Sequence, residues 1–154
     1  MKIINENASL LSNLSNICAY LKLTLNDISW VGFYLVNQNK LILGPFQGNV
    51  ACTTIDVNNG VCGKAFRTKE IQIIPNVHEL SYHIACDKGS NSELVIPLII
   101  NDEVKMVLDI DSYSVNRFTE YNEEVKELCQ IIEEIKQFIL INHIENYEKL
   151  INLY

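Results

Sequence analysis

The chain has 154 residues, 48% of them hydrophobic, with 12 Lys or Arg against 19 Asp or Glu for a net charge of -7. That length suits one domain able to bury roughly two thirds of its unfolded surface, and the acidic balance argues against a phosphate-tracking surface, so no nucleic acid is expected as a partner. The N-terminus lacks a signal-peptide core and no apolar run is long enough to span a bilayer, so a cytosolic protein off the membrane is expected.

Apolar residues recur at Leu10, Leu11, Leu14, Ile17, Cys18 and Leu21, which predicts an amphipathic helix over 8–23. Trp30 to Val36 and Lys40 to Leu43 are strand-like around an Asn37-Gln38-Asn39 turn, a hairpin that Gly44-Pro45 is expected to end. Thr53 to Val57 reads as a strand, Val61 to Thr68 as a short helix, and Ile71 to Ile74 as a strand stopped by Pro75. Val77 to Asn91 has no clear period and is the longest loop expected, a place where function concentrates. Glu93 to Ile100 and Glu103 to Ile110 flank Asn101-Asp102, the strongest hairpin signal in the chain. Thr119 is the expected N-cap of a closing helix whose stripe is Val125, Leu128, Cys129, Ile132, Ile135 and Ile139. Glu120, Glu123 and Glu124 favour the positive end of its dipole. The sum is an α+β layer fold, a mostly antiparallel sheet covered by terminal helices.

Five cysteines, an odd number with no Cys-x-x-Cys pair, suit reduced thiols with transient redox chemistry better than a disulfide framework. Cys86 lies in the irregular loop, where a thiol can be exposed and act as a nucleophile in its deprotonated form. Cys18 and Cys129 sit on helical apolar stripes and are expected to pack in the core. Asp109 and Asp111 alternate with Leu108 and Ile110, so in a strand both acids point to one face, where like charges repel unless one is protonated or both meet a cation. Trp30 and Tyr34, four apart in a strand, also share a face. His78 and His83 beside Cys86 lack any zinc spacing, so hydrogen-bonding or loop-structuring roles are expected, with no metal and no cofactor.

Trp30-Val31-Gly32-Phe33-Tyr34, Leu43-Gly44-Pro45-Phe46-Gln47-Gly48, Gly60-Val61-Cys62-Gly63, His83-Ile84-Ala85-Cys86-Asp87, Ser92-Glu93 and Leu108-Asp109-Ile110-Asp111-Ser112 together resemble the free methionine-(R)-sulfoxide reductases, single GAF-domain enzymes. The resemblance runs from the first helix to about the middle of the last. It departs at Lys105-Met106, at Asn91, and past Phe138, none of them a candidate catalytic position.

The resemblance implies one GAF domain with a six-stranded antiparallel sheet, its core over about 8–138 and a helical extension over 139–154. It implies reduction of free rather than peptide-bound methionine sulfoxide by a homodimer recycled by thioredoxin. It assigns Cys86 as nucleophile, with Cys52 or Cys62 resolving the sulfenic acid. Sequence separation cannot choose between those two, because disulfide formation follows Cα geometry; Cys52 is favoured, with Cys62 an auxiliary thiol or a packing residue at a helix start. Glu93, Asp109 and Asp111 are placed around the substrate, where carboxyls suit binding an ammonium and protonating a leaving oxygen. Trp30, Tyr34, Ile84 and Ala85 are implied as the walls. Two other readings stand beside this one: a GAF module sensing a small nucleotide-like ligand, and a structural or metal-binding module using Cys52, Cys62, Cys86 and a histidine.

Overall fold

A computed structural model describes residues 3–81 and 89–142 together with 147, 149 and 150. His83, Ile84, Ala85 and Cys86 lie outside the described residues. Among the described residues the elements are α1 (Leu10–Thr24), β1 (Trp30–Asn37), β2 (Lys40–Gln47), β3 (Thr54–Asp56), α2 (Gly60–Thr68), β4 (Gln72–Ile74), a 3-10 turn (Val77–Glu79), β5 (Ser92–Ile100), β6 (Glu103–Ser112) and α3 (Glu123–Ile141). The strands form one sheet in the order β3-β2-β1-β6-β5-β4. Every pairing in it is antiparallel. No helix among the described residues is long and apolar enough to cross a membrane.

Ser9 opens α1 by accepting from Ser12 N at 3.1 Å. The closing helix starts later than its acidic approach suggests: the cap of α3 is Asn122, not Thr119, and its side chain accepts from Val125 N at 3.0 Å. A side-chain acceptor one turn before the first buried apolar residue satisfies an orphan N–H there, and Thr119 lies too far upstream to do so. The Arg117 guanidinium then forks onto Glu124 at 2.8 and 2.9 Å while donating to Asn26 O, tying the approach of α3 to the end of α1.

The β1–β2 hairpin also runs further than expected, because β2 continues through Gly44-Pro45 to Gln47. The register shifts between Gly32 and Tyr34, and β3 pairs only with Lys40, Leu41 and Ile42. Pro45 therefore falls in a bulge whose outer side has no partner strand, a position that tolerates the missing N–H.

The two faces of the sheet differ. On one, α1 and α3 bury Leu14, Ile17, Phe33, Leu35, Leu98 and Leu108 in the larger core. Cys18 packs there, donating to Pro45 O at 3.2 Å, and burial pushes its thiol up to about 12. Cys129 reaches this core only partly buried. Tyr147 and Leu150 join it from beyond α3, the Tyr147 hydroxyl donating to Lys105 O and Val36 O. On the other face Trp30, Tyr34, Val95 and Val107 pack in a second core together with Val61, Cys62 and Ala65 of α2. The helix can settle closely because Gly63 has no side chain: a Cβ there would stand 2.7 Å from Val57 O.

Candidate active site

The face beneath α2 collects the polar residues. In register across β1 and β6, Trp30 pairs with Asp111, Gly32 with Asp109 and Tyr34 with Val107. Across β5 and β6, Glu93 pairs with Asp111 and Val95 with Asp109. Cross-strand partners share a face. Asp109, Asp111 and Glu93 thus lie opposite and diagonal to one another, next to Trp30 and Tyr34.

The aromatics form a stacked wall. The Trp30 and Tyr34 rings are 5.9 Å apart at 26°, and Trp30 lies 5.4 Å from Phe46 at 18°. Gly32 makes this possible, since a Cβ there would meet Trp30 Cη2 at 2.4 Å and Phe46 Cβ at 2.5 Å. The indole donates to Asn49 O at 3.1 Å and the Tyr34 hydroxyl to Cys52 O at 3.0 Å. Asn49 carries no signal in the sequence, and Phe46 stands there only within the 43–48 block, with no role in the wall. The signal that could have found the role of Phe46 was the extension of β2 past a proline, which is weak in any single sequence.

Glu93 and Asp109 are each 6% exposed, and Cys62, in the first turn of α2, is 3% exposed. Burial pushes Asp109 up to about 6, against hydrogen bonds with Glu93 and Cys62 that favour its charged form. Burial, then the Asp109 and Asp111 carboxyls, push Glu93 well above the ordinary range. Two adjacent buried carboxyls cannot both ionise cheaply, so the pair keeps a proton between them. The start of a helix ordinarily favours a thiolate. Here burial, with the neighbouring acids, drives the Cys62 thiol up instead. Tyr34 is likewise held as a neutral donor, by burial first and Asp109 second. Asp111 is only half-buried.

Of the thiols, Cys18, Cys62 and Cys129 are free and Cys52 is disulfide-bonded. His78 has the structural role expected of it: Nε2 lies 2.6 Å from Asn91 Oδ1, while Asn91 Nδ2 donates to Tyr113 O and Asn91 N to Ser112 O. Asn91 thereby anchors the end of the loop to the strand that carries the acids. Among the described residues, the group whose ligand atoms converge on one point is Cys62, Glu93 and Asp109, all within 4.8 Å of one another, and His78 is not part of it.

Wall, acids and thiol thus occupy one face of an antiparallel sheet flanked by helices. Residues 8–134 match the family model of the GAF domain. The chain is 45% identical over 128 residues to the free methionine-R-sulfoxide reductase of Escherichia coli, covering 82% of this chain and 78% of that one. It is 45% identical over 129 residues to the free methionine-R-sulfoxide reductase of Saccharomyces cerevisiae, covering 79% and 71%. Among solved structures, the reduced fRMsr of Staphylococcus aureus superposes with a TM-score of 0.82 at 41% identity, over 89% of this chain and 88% of that one. The free methionine-R-sulfoxide reductase of Neisseria meningitidis in complex with its substrate superposes at 0.79 and 36% identity, over 88% and 82%. The chain belongs to the GAF-domain family of free methionine-R-sulfoxide reductases.

Proposed function

We propose that the chain reduces free L-methionine-(R)-S-oxide to L-methionine. The observation that carries this reading is the joining, on one sheet face, of a stacked Trp30–Tyr34 wall to the Glu93, Asp109 and Asp111 carboxyls. The wall suits a methyl and thioether group. The proton held between Glu93 and Asp109 suits an oxygen that must leave as water, and half-buried Asp111 suits an ammonium. A peptide-bound methionine has no ammonium and leaves the half-buried Asp111 carboxylate without its partner, which is a basis for discrimination.

In this reading the Cys86 thiolate attacks the sulfoxide sulfur. That attack forms a sulfur–sulfur bond, protonation from the acid pair lets the oxygen leave as water, and a water molecule then attacks the Cys86 sulfur, breaking the sulfur–sulfur bond to release methionine and leave Cys86 as a sulfenic acid. A second thiol condenses with it, expelling water and forming a disulfide, which an external dithiol of the thioredoxin type reduces. Cys52 is the preferred second thiol. The reading is favoured by Cys52 being disulfide-bonded while Cys62 is free and its thiol held protonated. We further propose one GAF domain over about 8–138 with an extension over 139–154, a homodimeric assembly and a cytosolic setting.

The test is methionine release from the free R-sulfoxide, the free S-sulfoxide and the N-acetylated R-sulfoxide, with dithiothreitol or thioredoxin as reductant. Turnover confined to the free R-isomer and abolished in Cys86→Ser, with the fold intact by circular dichroism, is the expected result. Equal rates on the acetylated substrate, or retained turnover in Cys86→Ser, overturn the reading.

A further inference from the structure

Among the described residues of the site, Cys62 is a thiol that the proposed cycle leaves idle. Its sulfur lies within 4.8 Å of carboxyl oxygens of both Glu93 and Asp109, all three residues are buried, and they arrive from three separate elements, α2, β5 and β6. No spacing motif marks such a set in a sequence. Asp109, 6% exposed, also keeps its Oδ1 buried without a hydrogen-bond partner. An orphaned buried carboxyl oxygen is costly and marks a place where a ligand atom is accommodated.

We propose that Cys62, Glu93 and Asp109 form a site for a thiophilic divalent cation, with Zn2+ as its probe, and that the cation excludes substrate from the same pocket. One sulfur and two carboxylate oxygens are a donor set that zinc accepts, with Zn–S about 2.3 Å and Zn–O about 2.1 Å; donors in that geometry stand roughly 3–4 Å apart. A modest closing of the Glu93 and Asp109 side chains brings the three into it. The fourth tetrahedral position is left to water, or to Asp111, which stands beside Glu93 and shares a face with Asp109. Hard cations such as Mg2+ prefer all-oxygen shells, so the thiol biases the choice. Binding involves no redox change: the cation replaces the proton of the Cys62 thiol and the proton shared by the acid pair, and both are released to solvent. Occupancy holds the proton donor of the proposed reaction out of service. The inhibition rests on the function proposed above, whereas the binding does not.

The experiment uses the metal-free, reduced full chain. Because Cys52 and Cys86 are thiols that could take up zinc themselves, the reference protein is the Cys52→Ser/Cys86→Ser double variant. Calorimetric titration of it with Zn2+ is expected to give one equivalent, and Co2+ is expected to produce the ultraviolet sulfur-to-cobalt charge-transfer band. Adding Cys62→Ser abolishes the band, and Glu93→Gln or Asp109→Asn each weaken zinc binding by at least about tenfold, the loss that even outer partners of a metal cause. Thermal melting without metal confirms that each variant is folded, and the two carboxyl variants keep the test open should Cys62→Ser not fold. No binding to the double variant, or a band that survives Cys62→Ser, overturns the site. In the wild type, Zn2+ is expected to inhibit methionine release competitively with substrate and reversibly on adding EDTA. Binding without competition overturns the exclusion alone, and binding by a protein with no reductase activity overturns the proposed function while leaving the site.

Discussion

Asp109 holds a buried carboxyl at a pKa of about 6 beside a Glu93 carboxyl pushed higher still. An acid whose folded pKa lies above its unfolded value binds its proton more tightly when folded, so its contribution is lost as pH rises. From near the unfolded value of 3.8 upward through 6 the site therefore costs stability. Asp109→Asn is expected to raise the melting temperature at pH 7–8, by roughly 2–4 °C for each kcal/mol relieved, and to flatten its decline between pH 4 and 7. Under the proposed mechanism the same change lowers turnover about a hundredfold. A melting temperature unchanged at pH 8 contradicts the linkage. The thiols offer a second contrast. Cys52→Ser should release about one methionine per subunit and then stall with thioredoxin, as expected when only the resolving step is lost. Cys62→Ser should continue to cycle, and a stall there instead exchanges the two roles.

At the scale of the element, β1 carries the aromatic wall on one face and Phe33 and Leu35 on the other. Its narrow point is Gly32, where Trp30 folds back over the strand. Gly32→Ala forces the indole or Phe46 to move, and overpacking of this kind costs about 1–3 kcal/mol. Its signature is a raised KM with a lowered melting temperature; a variant matching wild type in both shows that the wall is not built this way. The alternation in β6 made the shared face of Asp109 and Asp111 legible from sequence, as the Asn101-Asp102 turn made the hairpin, both residues taking positive φ. What was not legible came from long-range packing: Pro45 looked like an end because its bulge exists only in the pairing with β1. Asp109 and Asp111 look alike in sequence, yet only the first is buried. The approach of Cys62 to the acids depends on how α2 settles, which Gly63 governs from a contact with Val57 that no local pattern reveals.

Across the whole molecule, the segment past α3 returns to the sheet through the Tyr147 hydroxyl, which lies 3.3 Å from Val36 O and also reaches Lys105 O. These carbonyls sit at the end of the β1–β6 pair remote from the acids. Tyr147→Phe removes a buried donor and is expected to cost on the order of 1 kcal/mol, read as a small fall in melting temperature with KM unchanged. A shift in KM points instead to coupling along the sheet. The sheet closes on both sides with three-residue strands, β3 ending at Asp56 and β4 halted by Pro75. Long open edges are the rails on which other proteins lay an extended peptide, strand beside strand, and read its side chains in turn. Outer strands this short offer an incoming polypeptide little backbone to pair with, whereas a free amino acid requires none.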